Sequence, residues 1–195
     1  MKNKNETFKN ELLQFEIDPI RKKCELKKEE KIQIQEWCHL KMKKIIFDSN
    51  IHNSKLNESQ FDSLVLNKSN LLFLIQSDDN IQFGGFISTK INKIDKLIFD
   101  ENAFVFTFKD NKPMKFNLKK DNKKHASFKL FDKNNERLFL LGEGDIMLNK
   151  FHRYSSLYEN ESCSFDYEGN KNVLIGKTGF LCLTLKRIIV IQMNN

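Results

Sequence analysis

Cysteine, proline and tryptophan are all scarce in this chain. The four cysteines, Cys24, Cys38, Cys163 and Cys182, form no C-x-x-C pair, and His39, His52, His125 and His152 are equally scattered. That spacing supplies neither a structural zinc site nor a disulfide framework, so no metal or cofactor is expected. Two prolines and no proline- or glycine-rich stretch leave the 195 residues without a linker. No apolar run is long enough to span a bilayer, and residues 1–10 are polar and charged, unlike a signal peptide. The expected compartment is therefore cytoplasmic, with the nucleus open to so small a protein.

What is present reads as globular material. Hydrophobic residues make up 39% and charged residues 30%, and the length suits one domain with a sizeable core and a modest extension. The formal charge is +7, which bears on partners rather than on fold. All seven glycines lie from Gly84 onward, so front and back differ in composition. The front reads as helix. Phe8, Leu12 and Phe15 make one apolar face over residues 6–17. Asp18-Pro19 opens a second helix expected to run to about residue 42, with Ile34, Trp37, Cys38 and Ile45 on one side. Burying the Trp37 ring against the globular body would contribute on the order of 2 to 3 kcal/mol. Residues 57–60 offer a cap for a short helix carrying Phe61, Leu64 and Val65.

The back reads as strand, organised around residues 71–88. Residues 71–75 have no polar face and so belong between layers. A cluster of turn formers follows at 77–80, and the returning strand ends in Gly84-Gly85, where something is expected to pack closely. Residues 103–109 are apolar on both sides, as in a central strand, whereas 114–118 put Met114, Phe116 and Leu118 inward and Lys115 and Asn117 outward. Residues 127–131 and 137–141 suggest a further hairpin, 142–145 a turn, and 180–193 one closing central strand. Helices followed by a meander of strands predict an α+β chain: a two-layer antiparallel β-sandwich flanked by helices, with the N-terminal helices docked on it. Residues 1–45 form the helical extension and residues 46–195 the sandwich domain.

Taken in order, residues 71–88, the strand Phe104-Val105-Phe106-Thr107-Phe108, the run from Leu141 through Gly142-Glu143-Gly144-Asp145, Ser162-Cys163-Ser164-Phe165 and the closing residues 180–193 resemble the TLDc domain, the family of eukaryotic oxidation-resistance proteins. The likeness covers roughly residues 46–192. The chain departs from the family in a thinner glycine turn after Leu141, in Ile189-Val190-Ile191 where an acidic residue followed by an aromatic is the rule, and in a loose match over residues 48–56. The resemblance implies a sandwich of two antiparallel sheets edged by helices, no catalytic centre, and a role in protection from oxidative stress. It also implies a protein partner, the vacuolar proton-pumping ATPase being bound by several members.

The residues themselves offer little for catalysis. Gly84-Gly85 lacks the lysine and helix start of a phosphate loop, and Glu143 and Asp145 read as solvated turn charges. A peroxide-sensing thiol would need an exposed thiolate; Cys182 and Cys163 are the candidates, although Glu161 and Asp166 should raise the pKa of Cys163. The strongest surface feature is the segment holding Lys109, Lys112, Lys115, Lys119, Lys120, Lys123 and Lys124, seven lysines against two aspartates. Such a segment fits a solvated hairpin tip, or an electrostatic footprint for an acidic protein or for double-stranded DNA. His125 is placed to add stacking there, while Phe128 reads as core. Two functional classes follow: a non-enzymatic interaction protein, and a stress-responsive DNA-binding transcription regulator.

Overall fold

The computed structural model describes residues 23–51, 61–121, 125–150, 155–157, 164–170, 173–176 and 181–194. Among them are two helices, α1 (Lys28–Cys38) and α2 (Phe61–Val65), and the strands β1 (Lys41–Asp48), β2 (Leu71–Ser77), β3 (Gln82–Ile87), β4 (Leu97–Ile98), β5 (Phe104–Thr107), β6 (Met114–Asn117), β7 (Phe128–Leu130), β8 (Arg137–Leu141), β9 (Ile146–Asn149), β10 (Ser155–Leu157), β11 (Leu181–Leu183) and β12 (Leu185–Asn194). They form two six-stranded sheets, sheet 1 in the order β1-β12-β2-β3-β5-β6 and sheet 2 in the order β11-β10-β9-β8-β7-β4. Every strand pairing is antiparallel, and the fold is α+β and sandwich-like.

β2 is buried along its whole length because both of its faces are covered. Leu71, Phe73 and Ile75 join the core between the sheets, and Leu72 and Leu74 join a second cluster on the far face of sheet 1. Phenylalanines carry the inner core: the Phe73 ring lies 5.0 Å from that of Phe128 and 4.7 Å from that of Phe139, both on sheet 2. The same alternation runs through β5, where Val105 faces inward while Phe104 and Phe106 face the second cluster together with Phe108. Over those three rings lies Trp37 of α1, with centroids 6.1, 6.1 and 6.0 Å away, and nearly parallel to Phe108.

The close approach expected at Gly84-Gly85 is present on both faces. A Cβ at Gly84 would stand 1.9 Å from the Phe73 carbonyl oxygen, and one at Gly85 would stand 2.9 Å from Leu141 Cδ1 of sheet 2.

Three expectations are corrected. The second helix is confined to Lys28–Cys38: residues 24–27 are non-helical, with Glu25 in a left-handed conformation, and past Cys38 His39 takes a left-handed conformation too, its amide donating back to Gln35. Ile45, expected on the helix stripe, therefore lies in β1, which pairs with β12. Finally, the closing run is two strands: β11 pairs with β10 in sheet 2, and after Thr184 the chain crosses to sheet 1 as β12, between β1 and β2. The division drawn at residues 45 and 46 falls inside β1. The expected helix over residues 6–17 lies outside the described residues, as does the cap at 57–60.

Candidate interaction surface

The lysine segment begins where β5 ends. A short 3-10 turn, Lys109–Asn111, reverses the chain into the edge strand β6. Lys109 is half-buried, its amine 3.6 Å from Asp110 and its stem against Gly176. Lys115 lies on the outer face of sheet 1, its ammonium 4.6 Å from the Phe104 ring centroid. The Lys119 amide donates to the Ser164 carbonyl (3.0 Å), and Lys112 and Lys120 are exposed. Lys123 and Lys124 lie outside the described residues. His125 pairs with Asp121 at 2.7 Å, and Phe128 is core, as expected.

Cys24 and Cys38 are buried, and burial pushes the Cys38 thiol up to about 12, so it stays protonated. Cys163 lies outside the described residues; the backbone of Cys182 pairs with that of Ser156 across β11 and β10.

Asp145 is not a solvated turn charge. It is buried, and its carboxylate accepts hydrogen bonds from the Ser164 and Phe165 amides (both 3.0 Å) and the Tyr167 hydroxyl (3.3 Å). Gly142 makes this possible, since a Cβ there would stand 2.0 Å from Asp145 Oδ2. Burial pushes the carboxyl up to about 6 against the downward pull of these donors. The exposed Glu143 adds a second tie, its amide donating to Ser164 Oγ (2.9 Å). Residues 164–166 then run along the edge strand of sheet 1, where Leu118 bridges to Phe165 and the Asp166 amide donates to Asn117. The turn between β8 and β9, the two middle strands of sheet 2, is thus tied through residues 164–166 to the edge strand β6 of sheet 1.

Two further buried acids had no sequence signal. Asp48 receives Arg187 Nε at 3.0 Å and Nη2 at 2.6 Å, while Arg187 Nη1 reaches Glu25 at 3.1 Å. These hydrogen bonds hold the guanidinium in its charged form. Asp100 accepts from the Ser88 amide and hydroxyl and from the amides of Thr89 (3.0 Å) and Asn102 (3.1 Å). All three buried acids, Asp48, Asp100 and Asp145, thus engage backbone amides or a guanidinium, an arrangement that fastens segments of chain together. Among the described residues no three His, Cys, Asp or Glu side chains come together as a metal ion would require, and no helix is long and apolar enough to cross a membrane.

No curated protein matches the chain. A family model described as the TLDc domain matches residues 26–183, a span that runs from α1 through β11 and stops short of β12. The chain belongs to the TLDc domain family.

Proposed function

We propose that this protein is a non-enzymatic interaction protein of the oxidative-stress response, cytoplasmic with access to the nucleus, its N-terminal helices docked on the sandwich. The observation that carries the reading is the family match over residues 26–183. The buried acids support it, because Asp48, Asp100 and Asp145 are shut away from solvent and engaged by the protein's own donors, out of reach of a substrate. The family resemblance supplies the vacuolar proton-pumping ATPase as the candidate partner. The test is retention of the solubilised ATPase on the immobilised protein, with peroxide consumption by the pure protein measured alongside. Retention without turnover is expected; absence of retention, or measurable turnover, overturns the reading.

A DNA-binding regulator is the second reading, supported by the formal charge of +7 and the exposure of Lys112 and Lys120. It predicts a specific shifted band at physiological salt with competitor DNA present. If four lysines engage phosphates, log affinity falls against log salt with a slope of about −3.6. The interaction-protein reading predicts no such band.

A further inference from the structure

Sheet 2 has an outer face unlike that of sheet 1. Cross-strand pairing sets Leu97 beside Lys129, Lys129 beside Leu140, and Leu140 beside Met147, one row running across β4, β7, β8 and β9. The strand neighbours of these residues, Ile98, Phe128, Leu130, Phe139, Leu141, Ile146 and Leu148, belong to the inner core, so alternation turns the row outward. Four large apolar side chains are exposed among the described residues, and two belong to this face: Leu97, 44% exposed, and Phe99, 40% exposed. Leu140 and Met147 are half-buried.

Within these four strands the charge has one sign. β4, β7, β8 and β9 contain two charged residues, Lys129 and Arg137, both cationic. The two meet over one ring: the Lys129 amine lies 4.5 Å and the Arg137 guanidinium 5.6 Å from the Phe131 centroid. Cations held this way shield the ring with their stems and keep their charged heads near one another. The acids nearby lie outside the strands, Asp95 just before β4 with its amide donating to the Leu130 carbonyl and Asp132 and Glu136 in the connection between β7 and β8, and none of them forms an ion pair with these cations. A lone Lys129 would be an ordinary solvated strand residue. Two cations gathered beside exposed apolar side chains, with no acid projecting from the strands, complement a ligand that is both acidic and apolar.

We propose that the outer face of sheet 2 docks an acidic peptide segment of a partner protein, with apolar side chains on Leu97, Leu140 and Met147 and a carboxylate bridging Lys129 and Arg137. This deepens the interaction-protein reading and rests on it. The probe is a short synthetic peptide alternating glutamate with leucine, titrated into the isotope-labelled full chain and followed by amide chemical shifts. Shifts are expected to concentrate on β4, β7, β8 and β9. The doubly reversed variant Lys129→Glu/Arg137→Glu is expected to bind at least about tenfold more weakly, with unchanged thermal unfolding. Leu97→Asp, which leaves both cations in place, should weaken binding as well.

Shifts centred on Lys112 and Lys120, or undiminished binding by the charge-reversed chain, overturn the proposal. So does competition from residues 1–22 of the chain, revealed if their deletion alone creates the binding. Retention of the ATPase is scored separately. If the charge-reversed chain retains it as well as the parent does, this docking site fails while the interaction-protein reading stands. If the parent itself retains nothing, the broader reading fails and the peptide titration still decides the face.

Discussion

The two outer faces of the sandwich carry the same strand periodicity and end differently. On sheet 1 the outward positions of β2, β3 and β5 are Leu72, Leu74, Phe86, Phe104 and Phe106, and α1 adds Ile34 and Cys38 to them and spreads Trp37 over the aromatic row. On sheet 2 the outward positions alternate Leu97, Lys129, Leu140 and Met147, and among the described residues neither helix adds a side chain to them. Strands that are apolar on both faces require a third layer, and strands with a cation in the outward row tolerate solvent or a transient partner. Sheet 1 is therefore where substitutions should cost stability, and sheet 2 where they should cost binding.

The largest effect is expected from Gly84→Ala. Its Cβ would point out of the inner core yet meet the Phe73 carbonyl oxygen at 1.9 Å, so the β2–β3 ladder itself has to move. A loss of about 3 kcal/mol or more is expected in denaturant unfolding; a variant as stable as the parent would mean that β3 does not approach β2 so closely. Trp37→Ala comes next, at about 3 kcal/mol, since it removes one half-buried ring that touches three others. Circular dichroism is the suitable probe, because the chain has no other tryptophan.

Asp145 tests the seam between the sheets. Its folded-state pKa of about 6 lies above the ordinary carboxylate value of 3.8, so the folded state binds the proton more tightly than the unfolded chain does. Stability from this group is fully present below the ordinary value and is lost as pH rises through about 6. Relative to Asp145→Asn, the parent should therefore gain up to about 3 kcal/mol between pH 7 and pH 4. The variant should be less stable throughout, because an asparagine amide cannot accept from both the Ser164 and the Phe165 amide while its own nitrogen faces one of them. Parallel pH profiles for parent and variant would show that Asp145 keeps its charge on folding.

What the sequence disclosed follows the same division. β2, β3 and β5 were legible because uninterrupted apolar runs have no alternative to burial on both faces, and the β7–β8 hairpin because turn formers separate two apolar stretches. β1 was hidden by its own irregularity: register shifts between Met42 and Lys44 and between Ile45 and Phe47 break the two-residue period, and neither glycine nor proline marks the helix end at His39. β4 contributes only Leu97 and Ile98, too little to show a period. The buried acids were illegible for another reason. Asp145 meets amide donors nineteen and twenty residues away, and Asp48 and Arg187 are separated by 139, so nothing local distinguishes them from surface charges. The lysine segment is contiguous in sequence, yet the turn at Lys109–Asn111 and the alternation of β6 give Lys109 and Lys115 different neighbours.

The smallest stability effect should come from the open face, and its smallness is informative. Leu97→Ala removes a side chain that already has solvent on one side, and no cavity forms, so the unfolding free energy should change by less than about 0.5 kcal/mol. If Leu97 were instead covered by a segment outside the described residues, truncation would cost roughly 1 to 2 kcal/mol, as for any partly buried leucine. Denaturant unfolding of Leu97→Ala beside Trp37→Ala thus measures directly how far the two faces differ. A near-zero value for the first and a large value for the second leave a solvent-facing apolar row beside two cations, the condition under which an acidic partner gains by binding there. Equal values would mean that sheet 2 is covered as thoroughly as sheet 1, and that a partner would have to displace part of the chain before reaching Lys129 and Arg137.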